Sequence, residues 1–97
     1  MSIKVMIKRK WQVDKPEELL PLLATLRDAA RKQPGFISGE TLRSLDNPEY
    51  YLVISIWETA DDWKKWIQNE QRRDLQAKVD SLIGEKTFYE LFETVGM

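Results

Sequence analysis

The first residues of the chain alternate between apolar and polar side chains, and this alternation predicts a β-strand. The apolar positions are Ile3, Val5 and Ile7, and they alternate with Lys4, Met6 and Lys8. Successive side chains of a strand point to opposite faces of a sheet, so the three aliphatic residues share one face. We expect this strand to continue through Trp11 to Val13.

The spacing of apolar residues then changes to threes and fours, which predicts an amphipathic helix over residues 16–32. Asp14 and Glu17 have the spacing of a capping box at its start. Six residues form the apolar stripe: Leu19, Leu22, Leu23, Leu26, Ala29 and Ala30. Such a stripe packs against a sheet or another helix. Pro34 and Gly35 end the helix.

Two further segments predict a β-hairpin. The first covers residues 36–44, and the second, Tyr50–Trp57, is rich in β-branched and aromatic residues, which favour extended structure. Between them lies Asp46-Asn47-Pro48, a sequence typical of a turn.

A second helical region follows the hairpin. Thr59 and Asp62 form another capping-box pattern, and Trp63 and Trp66 mark the apolar side of the helix. This apolar phase fails at Asn69, so we expect the helix to break there.

A new apolar stripe predicts a further helix over Glu70–Ile83. Its members are Leu75, Val79, Leu82 and Ile83. Gly84 ends this helix, because glycine readily adopts the left-handed conformation of a C-terminal cap. A last strand is expected over residues 87–92.

The order β-α-β-β-α-β predicts a single domain over residues 1–97 with a ferredoxin-like α+β fold. In this fold a four-stranded antiparallel sheet has the first strand between the third and fourth, and helices cover one face. Both faces of the third strand are apolar, one with Tyr51, Val53 and Trp57, the other with Tyr50, Leu52, Ile54 and Ile56. Helices can cover only one of these sets. Because a large exposed apolar patch usually marks an interface, we expect a homodimer that packs sheet on sheet.

Composition narrows the chemistry. The chain has no cysteine and no histidine, so nucleophilic systems that need either residue are excluded, and zinc, copper or haem would need less usual ligands. We expect no metal and no cofactor. A net charge of −1 gives no general attraction to nucleic acid, and no segment has the length and apolarity of a membrane span. The absence of cysteine suits the cytoplasm, where we expect the protein.

Three segments together resemble the antibiotic biosynthesis monooxygenase family. They are Pro34-Gly35-Phe36, the stretch from Val53 through Trp57-Glu58-Thr59, and the residues from Trp63 to Ile67. The resemblance implies a dimeric α+β barrel with a pocket between sheet and helices in each subunit. It also implies oxidation of an aromatic, phenolic or quinol substrate by O₂ without a cofactor. Other members of the family degrade haem, and many have no assigned activity.

The haem-degrading branch does not fit this sequence. That branch uses an asparagine on the first strand, a tryptophan on the second helix and a histidine further along. Trp66 stands at the tryptophan position, but Arg9 replaces the asparagine and Gln76 the histidine. We therefore reject haem degradation of that type.

The cofactor-free oxygenase needs aromatic walls and donors that stabilise a substrate anion. We predict Trp66, Arg9 and Asn69 as its catalytic residues. Four further residues are predicted to bind the substrate: Trp63, Trp11, Phe36 and Ile54. Arg9 shares the face of the aliphatic residues on the first strand, so it should point toward the helices. The charged residues from Glu70 to Asp74, with Arg72 and Arg73 among them, are expected to form a solvated face.

Two alternatives stay open. The tryptophans could fill the space between sheet and helices, which would make this a non-catalytic dimeric ligand-binding or interaction domain. The same scaffold also supports other reactions, because a fold does not fix a function. A cavity of about 300 Å³ or more beside Trp66, with Arg9 reaching into it, would favour the enzyme.

Overall fold

The computed structural model describes residues 2–10, 16–84 and 87–96. Within these ranges the chain forms four strands and three helices. In chain order they are β1 (Ile3–Lys10), α1 (Pro16–Arg31), β2 (Phe36–Arg43), β3 (Tyr50–Trp57), α2 (Ala60–Gln68), α3 (Glu70–Ile83) and β4 (Phe88–Glu93). This order confirms the predicted α+β fold, including the break that divides the second helical region. The predicted cap Asp14 lies outside the described residues.

The four strands form one antiparallel sheet in the order β2-β3-β1-β4. This arrangement places β1 between the third and fourth strands, as predicted. The register sets Val5 opposite Ser55 and Ile7 opposite Val53 on β3. On the other side, Ile7 lies opposite Tyr89 of β4. Because partners in a register share a face, these residues all point to the same side of the sheet.

The helices lie on that side, and the core forms between the two layers. Its buried apolar residues come from the sheet and from all three helices: Val5, Ile7, Leu19, Leu26, Trp57, Trp63, Trp66 and Val79. The structure thereby decides which apolar face of β3 is covered. It is the face of Val53 and Trp57, whereas Ile54 lies on the opposite face.

Side-chain and backbone caps define the ends of α2 and α3. The Thr59 hydroxyl accepts a hydrogen bond from the backbone N–H of Asp62 at 3.1 Å, which confirms the predicted cap of α2. Asn69 separates the helices, and its side chain accepts from the backbone N–H of Arg72 at 3.0 Å. Gly84 ends α3 in the left-handed conformation, with φ of 80°. These caps fix where α3 begins and therefore which of its side chains face the sheet.

The face of the sheet away from the helices combines apolar side chains with the charged Lys4, Lys8, Glu40 and Glu90, and we call it the open sheet face. Its apolar members are Met6, Leu42, Tyr50, Leu52, Ile54, Ile56, Phe88 and Phe92. Several are well exposed, and Phe88 is 74% exposed. None of the helices in the described ranges has the length and apolarity to cross a bilayer.

Candidate active site

A cavity of about 580 Å³ lies between the sheet and the helices. Its floor is the helix-facing side of β1, β3 and β4, where Ile7, Val53 and Tyr89 lie side by side in the register. α1 contributes mostly aliphatic side chains, and α2 contributes Trp63 and Trp66. The cavity is large enough for a small aromatic molecule.

Aromatic rings in contact form one wall of this cavity. Trp57 packs edge-on against Phe36 and against Trp63, with ring centroids 5.3 Å and 5.7 Å apart. Trp63 in turn contacts Tyr89, at 5.4 Å between centroids. Edge-to-face and tilted contacts of this kind hold rings in fixed orientations. The wall is therefore a preformed apolar surface rather than a set of mobile side chains.

Arg9 lies at the polar end of the cavity. An Nη atom of its guanidinium donates to Oε1 of Gln76 on α3 at 3.4 Å. Its Nε is buried and has no hydrogen-bond partner among the described residues. Burial lowers the pKa of Arg9, since removal from water penalises the charged form; nearby Tyr89 and Asp80 act against this shift, and Arg72 adds to it. A buried donor without a partner costs stability, so Arg9 is a strong candidate to bind a ligand oxygen.

Arg72 and Tyr89 form a second polar group beside Arg9. An Nη atom of Arg72 donates to the Tyr89 hydroxyl, and the guanidinium lies 5.2 Å from the ring centroid. Another Nη atom donates to the carbonyl of Ile67 at 3.2 Å. Burial raises the pKa of Tyr89, and the positive charges of Arg72 and Arg9 only partly oppose that shift. Tyr89 is therefore a neutral phenol at physiological pH.

A small hydrogen-bonded group supports this end of the cavity from behind. The Gln76 amide donates to Oδ1 of Asp80 and to the Thr87 hydroxyl, both at 2.8 Å. Thr87 also donates to Asp80 at 2.8 Å. Because its amide nitrogen is fixed in this way, Gln76 presents its carbonyl oxygen to Arg9.

The structure brings four of the predicted site residues together. Arg9, Phe36, Trp63 and Trp66 all line the cavity. The cavity size and the position of Arg9 meet the condition set above for an enzyme site. Two of the aromatic side chains, Trp63 and Trp66, are also core residues, so packing and cavity lining are combined in them.

Three predicted residues are not part of this group. Asn69 caps α3, and its side chain is engaged by the backbone N–H of Arg72 rather than directed to the cavity. Ile54 lies on the open sheet face, because it pairs with Met6 and not with a helix-facing residue of β1. Trp11 lies outside the described residues.

Sequence reasoning missed Arg72 and Tyr89. The expected solvated face from Glu70 to Asp74 is wrong for Arg72, which is only 7% exposed. A signal was present, since Arg72 lies four residues before Gln76 and seven before Val79, and all three are buried on one side of α3. Because Arg72 is charged, the sequence pattern does not count it as a member of this buried stripe.

Metal-ligating residues do not cluster in the described part of the chain. No group of three or more histidine, cysteine, aspartate or glutamate side chains is close enough to hold a metal ion there.

The fold and the cavity define a ferredoxin-like α+β domain with an aromatic pocket between sheet and helices. The sequence profile of one family, antibiotic biosynthesis monooxygenase, matches residues 2–78. Because the match covers most of the chain, the chain belongs to the antibiotic biosynthesis monooxygenase family, as the resemblance predicted.

Relatives in Streptomyces share part of the sequence. The 42.8 kDa protein in the whiE locus of Streptomyces coelicolor and Protein SchA of Streptomyces halstedii are each 31% identical over 58 residues. The match covers 60% of this chain and 15% of each relative. The chain thus spans only a small part of these longer proteins.

Solved structures show the same fold over almost the whole chain. A conserved protein from Methanosarcina mazei Go1 has a TM-score of 0.87 at 18% identity, covering 98% of this chain and 94% of that one. SnoaB, a cofactor-independent oxygenase from Streptomyces nogalater, has a TM-score of 0.84 at 18% identity, covering 99% and 95%. At this level of identity the likeness establishes the fold.

Proposed function

We propose that this protein is a cofactor-independent monooxygenase that oxidises a small phenolic or quinol aromatic with O₂. The observation that supports this most is the open cavity of about 580 Å³, in which aromatic walls meet Arg9. The buried Nε of Arg9 has no hydrogen-bond partner among the described residues. Membership of the antibiotic biosynthesis monooxygenase family supports the proposal. The structural likeness to SnoaB, a protein described as a cofactor-independent oxygenase, also supports it.

The reaction uses electrons that the substrate itself supplies. A phenol whose ring has a benzylic CH₂ loses a proton to give an anion, and the anion transfers one electron to O₂. The resulting radical and superoxide combine to form a C–O bond, and the peroxide anion takes up a proton equivalent to the one lost in the first step. The hydroperoxide then loses water to leave a carbonyl. One O₂ is consumed, one of its oxygen atoms enters the product and the other leaves as water. No external reductant is required.

Each part of the cavity has a role in this reaction. Trp66 and Trp63 hold the flat ring, and Phe36 closes the aromatic wall beside Trp57. Arg9 provides a positive charge in a site of low dielectric, where it stabilises the substrate anion far better than water-exposed charge would. Because this environment exists before the substrate arrives, little reorganisation is needed during the reaction.

Oxygen uptake tests the proposal directly. Purified protein, treated with a metal chelator, is given a panel of anthrone-type phenols and hydroquinones while dissolved O₂ is recorded. We expect consumption of one O₂ per product with at least one class of substrate, and loss of most of this rate in Arg9→Met. Lys8→Met, which removes a cation from the neighbouring position on the other face of β1, should retain the wild-type rate.

Two results would contradict the oxygenase. The first is uptake that never exceeds the rate without protein. The second is uptake that is the same in wild type and Arg9→Met. Tight binding of aromatics without any uptake would favour the non-catalytic binding domain instead.

We also propose a homodimer that forms through the open sheet face. The apolar side chains of that face, with Phe88 74% exposed, support this assembly. The absence of cysteine supports a location in the reducing cytoplasm.

A further inference from the structure

The charges around the cavity differ in sign from those of the chain as a whole. The protein has a net charge of −1, yet the charged residues that line the cavity in the described ranges are four arginines and one glutamate. They are Arg9, Arg27, Arg31, Arg72 and Glu40. Glu40 lies opposite Ile54 in the register, so its side chain belongs to the open sheet face. Arg27 is exposed and pairs with Asp28 at 3.7 Å, so the positive charge inside the cavity comes mainly from Arg9 and Arg72.

The two inner arginines, Arg9 and Arg72, are not neutralised by the protein. Neither forms an ion pair with a carboxylate among the described residues, although Arg72 is buried and the Nε of Arg9 is buried as well. The negative charge of Asp80 acts on Arg9 and opposes the fall in its pKa. The Asp80 carboxylate, however, accepts its hydrogen bonds from Gln76 and Thr87 and not from Arg9. Buried cations without an anion are costly. An anionic group on the ligand would remove this cost.

Tyr89 adds a suitably placed donor. Its hydroxyl accepts from Arg72, and its own hydrogen is not donated to any described residue. A phenol both donates and accepts, so this O–H is free to bind a ligand oxygen. Tyr89 and Arg9 point to the same face of the sheet from adjacent strands, two residues apart in the register. Arg9 and Tyr89 thus both line the cavity from neighbouring strands.

We propose that this end is a carboxylate subsite, and that the preferred ligands are aromatic carboxylic acids. The carboxylate accepts from the guanidinium of Arg9 and from the hydroxyl of Tyr89, while the aromatic part lies against Trp63 and Trp66. A carboxylate fits better than a neutral phenol because it is already ionised at neutral pH and needs no base to become so. Charge-assisted hydrogen bonds of this kind are about twice as strong as neutral ones.

Arg72 is a positioning residue in this arrangement. It donates to Tyr89 and lies over the ring, so it fixes the hydroxyl and strengthens it as a donor. The inference rests on the proposed function in one respect, since it specifies the substrate class of the same cavity. In the oxygenase, the carboxylate of the substrate forms the direct hydrogen bonds with Arg9 and Tyr89. The positive charges of the arginines stabilise the anion that forms on the aromatic ring of the substrate.

Ligand binding tests the subsite without any oxygen chemistry. Three probes of similar shape are compared by quenching of tryptophan fluorescence and by calorimetry: 2-naphthoate, its neutral amide and 2-naphthol. We expect naphthoate to bind at least tenfold more tightly than either neutral probe. Arg9→Met should remove most of this preference, and Arg9→Lys should retain part of it. Lys8→Met is the matched control and should bind all three probes as wild type does.

The Arg72–Tyr89 pair is tested in the same assay. Tyr89→Phe should weaken naphthoate several-fold while leaving the amide unchanged. Arg72→Met should do the same, and Arg72→Lys should recover part of the loss, which a purely structural role would not predict. If an Arg72 variant fails to fold, the comparison of wild type with Arg9→Met still decides the question.

Three results would overturn the subsite. They are equal affinity for naphthoate and its amide, a naphthoate preference that survives in Arg9→Met, and the absence of naphthoate binding at millimolar concentration. Because naphthoate has no oxidisable CH₂, the outcome is independent of catalysis. A preference for naphthoate without oxygen uptake would support the subsite and contradict the oxygenase, whereas uptake of neutral phenols without the preference would do the reverse.

Discussion

The indole nitrogen of Trp57 donates a hydrogen bond to the hydroxyl of Ser55 at 3.1 Å. The two residues are two positions apart on β3, so both side chains point toward the helices. Trp57 is completely buried, and its indole N–H has to find its partner within the protein. Ser55 provides it, which allows a tryptophan to occupy the centre of the core with its one polar atom satisfied.

Ser55→Ala should therefore lower the free energy of unfolding by about 1–3 kcal/mol, the cost of a buried donor without a partner. Chemical denaturation followed by circular dichroism measures the change. Ser38→Ala on β2 is the control, because Ser38 is exposed and should shift stability by no more than about 0.5 kcal/mol. Equal stability of the two variants would show that water or a rearrangement satisfies the indole.

The turn between α1 and β2 depends on Gly35. Its φ is +85°, and a Cβ at this position would collide with the carboxylate of Asp62 at the start of α2. Gly84 has a similar φ of +80° but open space where a Cβ would lie. Comparison of substitutions at Gly35 and Gly84 therefore separates the cost of backbone strain from that of steric collision.

Gly84→Ala should cost about 1–2 kcal/mol, the price of the left-handed conformation alone. Gly35→Ala should cost ~2 kcal/mol or more, because overlap with Asp62 is added to the same strain. Denaturation midpoints give both values. Asp62→Ala in the Gly35→Ala background should recover only part of the steric cost, because it removes the carboxylate but keeps the Asp62 Cβ, which lies 2.6 Å from the position of the added Cβ. Equal costs for the two glycine variants would contradict the collision.

Stability should fall at alkaline pH partly through Tyr89. Burial raises its pKa in the folded state, so the folded protein holds this proton more tightly than the unfolded chain does. Below the unfolded pKa of about 10 both states are protonated and the contribution to stability is complete. As pH rises through 10, only the unfolded state ionises, and the contribution is progressively lost.

Denaturation between about pH 8 and about pH 11 measures this loss, because the range includes the ordinary tyrosine pKa of about 10. The informative quantity is the difference between wild type and Tyr89→Phe, because this difference isolates the contribution of Tyr89. We expect the loss to be smaller in Tyr89→Phe. Parallel curves for the two proteins would mean that Tyr89 ionises as easily when folded as when unfolded.

Trp66 is expected to contribute an aromatic face to substrate binding. Trp66→Phe preserves a ring at this position, whereas Trp66→Leu removes it at comparable burial. Since aromatic contacts add about 0.5–1.5 kcal/mol beyond burial, Trp66→Leu should lower kcat/KM for oxygen uptake about 2- to 12-fold relative to Trp66→Phe. Steady-state rates of the two variants check this. Equal rates would assign Trp66 to core packing alone.

The open sheet face should fail to assemble when a charge is placed in it. Phe92 lies opposite Lys4 on that face and is 44% exposed, whereas Leu45 in the β2–β3 turn is 97% exposed. Phe92→Lys should therefore yield monomers at micromolar concentration, because it replaces an apolar contact by an unpaired charge and sets two lysines directly opposite each other. Leu45→Lys should remain dimeric. Light scattering gives the masses, and a monomeric wild type would contradict the dimer itself.

The sequence by itself determined the order of the elements and most of their ends. The alternation on β1, the β-branched and aromatic content of β3 and the helical stripe of α1 are local features of the sequence, so they can be recognised without knowledge of the fold. Capping residues such as Thr59 and Gly84 act within a few positions of themselves, so the sequence also predicts the helix ends that they define. The same alternation placed Arg9 among the residues that face the helices.

Only the tertiary structure decided which apolar face of β3 would be covered. Alternation shows that Val53 and Trp57 share one face and that Ile54 lies on the other, but both faces are apolar, and nothing local distinguishes them. Ile54 was therefore assigned to the cavity and lies on the open sheet face. Asn69 likewise has an amide side chain of the kind that donates to ligands. It lies between two helices, however, and its side chain caps the second of them.

The tertiary structure also revealed the partners of the charged residues. Arg72 stands in a charged segment that is typical of a solvated face, and its burial follows from contact with Tyr89, seventeen residues further along the chain. Such contacts join elements that are distant in sequence, and the pattern around each residue contains no trace of the other. Sequence periodicity specifies which side of an element is apolar, whereas the packing of elements determines which charges meet inside the cavity.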